Sequence, residues 1–199
     1  MAINFANNSS LANITSLPTS ISGGGLTLVS SQTASASASL EFSMDSTYDS
    51  YVFKFINIHP SDYSINFRFN LSTDGGSTYA VTKTTTVFRA VHFENDSNAF
   101  LSYDGGQDLA QSTSDQGIGG GLDNSADANL NGTLEIYNPS SSVFVKHFIA
   151  RTNFSAPEGG CYGFFVAGYG NTSSPINSIK FLMQTGTIDD GIIKMYGVA

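Results

Sequence analysis

The stretch YDSYVFKFINIHPSDYSINFRFNLSTDGGSTY, residues 48–79, changes side-chain character with a period of two rather than 3.6. A strand sends successive side chains to opposite faces, so this pattern predicts two strands, Tyr51–Ile58 and Tyr63–Leu71. In the first, Val52, Lys54, Ile56 and Ile58 oppose Tyr51, Phe53, Phe55 and Asn57. In the second, Ile65, Phe67 and Phe69 oppose Asn66, Arg68 and Asn70, which gives one buried and one wet face, as in an antiparallel sheet. His59-Pro60-Ser61-Asp62 between them reads as a turn.

The same period recurs along the chain. LTLVSSQTASASASLEFSMD is strand-like throughout, with a small-residue alternation from Ala34 to Ser39. After an Asp-Gly-Gly turn comes a strand around Val87 and Ala90–Phe93, and then a long loop from Tyr103 to Asn129. Further strands are predicted at Leu130–Tyr137, Val143–Thr152, Cys161–Tyr169, Ile176–Gln184 and Ile188–Val198. In the last, Ile192, Lys194 and Tyr196 face one way and Ile193, Met195 and Val198 the other, with a break at Gly197. No stretch of ten residues carries a helical period. The expectation is an all-β antiparallel β-sandwich of jelly-roll type over 25–199, with about nine strands, give or take two, and helix confined to short turns. Phe53, Phe55, Phe67, Phe69, Phe148, Phe164, Phe181 and Tyr196 are the expected core.

Residues 1–24 follow neither period. They read either as a disordered start or as an extended arm that orders against a partner, with Ile3, Phe5, Leu11, Ile14 and Leu17 as the partner-binding residues. This N-terminus lacks the basic and apolar regions of a signal peptide. No run of 18 apolar residues exists, so no membrane span is expected.

Charged residues are 12% of the chain, about half the usual ~25% share, and the net charge is −8. The eight basic residues stand singly, with no basic stripe, so nucleic acid is not an expected partner. Cys161 is the sole cysteine, which excludes an intrachain disulfide and reads as a buried small hydrophobe. His59, His92 and His147 show no metal-ligand spacing. The acids fall almost wholly in turns; of them only Glu41 and Glu135 lie in strand-like runs, and neither has a partner two residues on. That is not the carboxylate pair of a glycan-cleaving enzyme, so no enzymatic activity and no cofactor are expected. Residues 94–98 and 104–108 offer alternate oxygen ligands without completing a calcium loop, and read as Asx and Asp-Gly turns. Gly119–Gly121 lack the Lys-Ser/Thr of a phosphate cradle.

The segments STYDSYVFKFINIHP, NFRFNLSTDGGSTY, GTLEIYNPSS, FVKHFIARTN, FFVAGYGNTSSPINSIKF and GTIDDGIIKMYGVA resemble small virion proteins of tailed bacteriophages. The resemblance covers about residues 40–199, and its most specific element is the terminal G-x-I-K-M-Y-G-type strand. It implies a non-enzymatic structural component of the particle, made in the host cytoplasm, with a β-sandwich body. A C-terminus held in its own sheet leaves the N-terminal arm as the free end. The neutral polar faces, the arm and the long loop suggest a homotrimer or similar cyclic assembly. The expected function is a capsid decoration (cement) protein on the particle surface, bound to the major capsid protein or other virion proteins. The alternative is a tail-fibre or receptor-binding head, in which Tyr103, Tyr162 and Tyr169 with loop Asp and Asn residues would recognise glycan.

Overall fold

The computed structural model describes residues 25–199. Within them the strands are β1 (Thr27–Thr33), β2 (Leu40–Ser43), β3 (Ser50–Pro60), β4 (Ile65–Ser72), β5 (Lys83–Phe93) and β6 (Ala99–Tyr103). They continue as β7 (Gln116–Leu122), β8 (Leu130–Tyr137), β9 (Lys146–Ala156), β10 (Gly160–Gly170), β11 (Ser178–Met183) and β12 (Ile188–Val198). A 3-10 turn at Pro157–Gly159 joins β9 to β10. Two antiparallel sheets pack face to face as a β-sandwich: eight strands in the order β1-β12-β3-β8-β9-β10-β5-β6, and four in the order β2-β11-β4-β7.

Between the sheets lies an aromatic core. The Phe181 ring has five phenyl neighbours, Phe42, Phe53, Phe55, Phe67 and Phe69, with centroids 5.2–6.4 Å away. Phe148 meets Phe69 edge-on at 5.1 Å. All seven expected core phenylalanines are buried. Tyr196 is not. It faces outward on β12, and the Lys54 ammonium lies 5.3 Å from its ring centroid. The alternation in β12 runs through Gly197 without a break, so Val198 shares the outer face with Tyr196 instead of joining Ile193 and Met195.

β3 departs from strict alternation. Asn57 has φ 52°, and the pairing of β3 with β8 slips between Phe55 and Ile58. The extra residue is a β-bulge, and it returns Ile58 to the core face with Phe53 and Phe55. His59 and Pro60 belong to the strand, not to the turn. The strands on either side of this corner go to different sheets, a separation that periodicity does not report, since it gives a strand's faces but not its partners.

Twelve strands stand where about nine were expected. The small-residue run 34–39 breaks the first strand into β1 and β2: Ala36 has φ 47°, and the segment crosses between sheets while Ala34 and Ala36 donate to the Gly191 and Asp189 carbonyls. β6 ends at the start of the expected loop 103–129, and β7 lies inside it. Several bounds also shift, since β9 starts at Lys146 and β11 spans Ser178–Met183. Asp189 and Asp190 lie in β12 rather than in a turn. Cys161 is exposed, because it points outward from β10.

The segment before β7 is tied down by buried polar groups. Lys83, fully buried, donates from Nζ to Asn70 Oδ1 at 2.6 Å and to the Val81 carbonyl at 2.8 Å. Asn70 Nδ2 in turn donates to Asp115 Oδ1 at 2.8 Å, and Thr85 Oγ1 donates to Gln116 Oε1 at 2.6 Å. Burial pushes the Lys83 pKa down from 10.5 to about 8, with the Asp115 carboxylate opposing the shift. Below pH 8 the lysine is charged in both states, and only the folded state carries the desolvation cost. Above pH 8 the folded chain sheds a proton that the unfolded chain keeps, so stability rises with pH. Burial also raises Tyr51, from 10 to about 12, which removes stability above pH 10. Unfolding by denaturant should therefore show a net gain of about 2 kcal/mol between pH 8 and pH 10. Lys83→Met should flatten that rise. A rise that survives the substitution would assign it to another group.

Candidate functional site

The outer face of the eight-stranded sheet carries one cross-strand row that spans every strand. Its basic half runs from Ser31 on β1 through Lys194, Lys54 and Thr133 to Arg151 on β9. Its aromatic half continues through Phe165 and Phe88 to Tyr103 on β6. Phe88 and Phe165 stack with centroids 4.7 Å apart and ring planes at 6°. The Arg151 guanidinium lies 5.5 Å from the Phe165 centroid, where the two halves meet.

Two features of this row are costly in an isolated domain. Lys54 and Lys194 stand directly opposite each other, and like charges at such positions destabilise a sheet. Tyr103 and Phe88 are 59% and 42% exposed although they adjoin an apolar stack. Beside the row, Ile149 is exposed between Glu135 and Ala167, and Val143 and Phe144, in the β8–β9 connection, are about 70% exposed. A groove of about 350 Å³ runs along this edge, lined by Thr84, Tyr137, His147, Ile149 and Tyr169 among others. Ile149 and Ala167, one row over from Arg151 and Phe165, extend the aromatic half toward this groove.

The charge on this row is opposite to that of the whole molecule. Three of the eight basic residues, Lys54, Arg151 and Lys194, stand on the row of a chain with net charge −8. Glu135, one row over, is taken up by hydroxyls: Tyr137 donates to it at 3.0 Å and Ser50 at 3.4 Å. Burial and this carboxylate push the Tyr137 phenol up. Tyr103 donates its hydroxyl to Asp108, which raises its pKa likewise.

The other sequence-derived candidates are dispersed. Ile3, Phe5, Leu11, Ile14 and Leu17 lie outside the described residues. Tyr103 and Tyr169 stand at separate places on the outer face, while Tyr162 points to the inner side of β10, so the three tyrosines do not form one platform. The acidic loops make ordinary turns: Asn95 Oδ1 accepts from Ser97 N at 3.0 Å, and Asp104 Oδ1 from Gly106 N at 3.3 Å. Among the described residues, no three His, Cys, Asp or Glu side chains are placed to hold a metal ion. Nor is any helix there long and apolar enough to cross a membrane. The row itself escaped sequence reasoning. Its members come from strands far apart in the chain, and only the register brings them together.

No family model, curated protein or solved structure matches this chain.

Proposed function

We propose that the protein is a non-enzymatic structural subunit of a tailed-bacteriophage particle, a decoration protein that docks on the outer shell. The Lys54–Lys194 juxtaposition, continued by an exposed aromatic row, carries the reading. A docked partner that supplies carboxylates would relieve the repulsion and cover the aromatic half in the same step. The acidic remainder of the surface is then left facing solvent. The sequence resemblance to small virion proteins supports the same class, with the major capsid protein as partner and a cyclic homo-oligomer as the assembly. The chain's repeated passage between sheets, with only the β5–β6, β8–β9 and β9–β10 connections staying within one, supports reading the sandwich as of jelly-roll type.

Charge reversal separates docking from folding. Lys54→Glu places a carboxylate opposite Lys194, so the free protein should gain about 0.2–1 kcal/mol of stability. The same change should weaken binding to particles stripped of the protein by roughly tenfold or more. Unchanged binding would overturn the docking face. The copy number per particle, by quantitative mass spectrometry, tests the decoration role itself. A value near that of the major shell protein, or a simple fraction of it, is expected. A few dozen copies or fewer would assign the chain to the tail.

A further inference from the structure

A second cleft, on the other side of the large sheet, has a different chemistry. It opens at the edge of the sandwich, where β5 and the start of β10 extend past β7, and encloses about 400 Å³, within the range of small-ligand sites. Arg89, Phe93 and Tyr162 line it from the large sheet, and Asn66 and Gly120 from the small one, with Gln107 between.

Three of these side chains aim donors that the fold does not use. Among the described residues, none of the five N–H groups of Arg89 makes a hydrogen bond. Its guanidinium has only the Asp104 carboxylate at 3.4 Å and the Tyr162 ring at 5.8 Å. The Tyr162 hydroxyl and the Gln107 Nε2 group make none there either, although Gln107 Oε1 is fixed by Asn66 Nδ2 at 3.1 Å. Buried polar groups are normally paired, and Arg89 Nε is buried without a partner; with the Tyr162 hydroxyl and Gln107 Nε2 left free beside it, the cleft offers three donors to a ligand's acceptors.

We propose that this cleft binds a neutral pyranose unit of a glycan. Arg89 is the one ionised side chain among its lining residues, and Asp104 already neutralises it. An anionic ligand would have to compete with Asp104 and approach a chain of net charge −8. A sugar hydroxyl does neither. It accepts from the guanidinium and from Gln107, and the Phe93 ring, which meets Tyr162 edge-on, provides an apolar contact for the C–H face of the sugar. The cleft shares no lining residue with the docking row, so the two can be tested apart.

The test is a glycan array of neutral and sialylated oligosaccharides with the full chain, followed by titration of the best neutral sugar observed by amide NMR. Neutral glycans should bind, with shifts centred on Gly120, Gly121 and Gln107. Tyr162→Phe, which removes only a hydroxyl, should weaken binding roughly three- to tenfold. Arg89→Lys, which keeps the charge and loses the planar fork, should reduce it further. Lys54→Glu should leave it unchanged. No binding at millimolar sugar, binding of acidic glycans alone, or equal affinity in Tyr162→Phe and Arg89→Lys would each overturn the assignment.

Discussion

Replacing Phe181 by alanine will lower the free energy of unfolding by about 4–5 kcal/mol, at the upper end for a buried phenylalanine. The ring is fully buried on β11, the strand between β2 and β4, and touches aromatic rings from both sheets. Its five phenyl neighbours come from β2, β3 and β4, so no single backbone shift can close the void. Such aromatic pairs contribute beyond their buried area, which adds to the cavity cost. Denaturant unfolding should show a lower midpoint with an unchanged slope. A loss below about 2 kcal/mol would mean that the core collapses around the site, contrary to the rigid packing expected of it.

Gly191→Ala should cost about 3–4 kcal/mol, from backbone strain with steric overlap added. Gly191 has φ 122°, where L side chains rarely go, and an added Cβ would stand 2.7 Å from the Asn57 carbonyl oxygen and 2.8 Å from Ile58 Cα. Those are backbone atoms of the β3 bulge, and they cannot rotate away. Gly105→Ala is the control: its Cβ would meet only the Tyr103 ring, at 3.9 Å, and its stability should stay within about 0.5 kcal/mol of the parent. Equal effects at the two glycines would show that the bulge does not depend on Gly191.

Strands that alternate cleanly were legible in the sequence. β8 and β12 have the bounds that periodicity assigned them, and the buried phenylalanines of β3 and β4 follow from the same pattern. β7 was not legible, because Gln-Gly-Ile-Gly-Gly-Gly-Leu has the composition of a loop. Its strand character is imposed by close approach to the opposite sheet, where a Cβ on Gly119 would come within 2.5 Å of Leu130 Cδ1. Lys83 and Lys146 illustrate the same limit. Both are fully buried, and the Asn70 and Thr172 acceptors that help satisfy them lie in segments that no local pattern links to them. The docking row and the cleft depend on register and on sheet edges. The sequence offers Tyr162, with Tyr103 and Tyr169, as a candidate sugar contact but not Arg89, because β5 and β10 become neighbours only in the folded sheet.

The position of β12 bears on how the molecule is made. Among the described residues, β1 pairs with β12 alone in the large sheet, and β12 lies between β1 and β3. On the ribosome β12 is the last of these strands to emerge, so β1 waits through the synthesis of all the others with an unpaired edge and exposed Leu28 and Val29. Closure of the sheet is therefore a late event, coupled to completion of β12 rather than to growth of the N-terminal part. A stalled or truncated chain lacking β12 would carry two open edges, β1 and β3, available to the same strand of another chain.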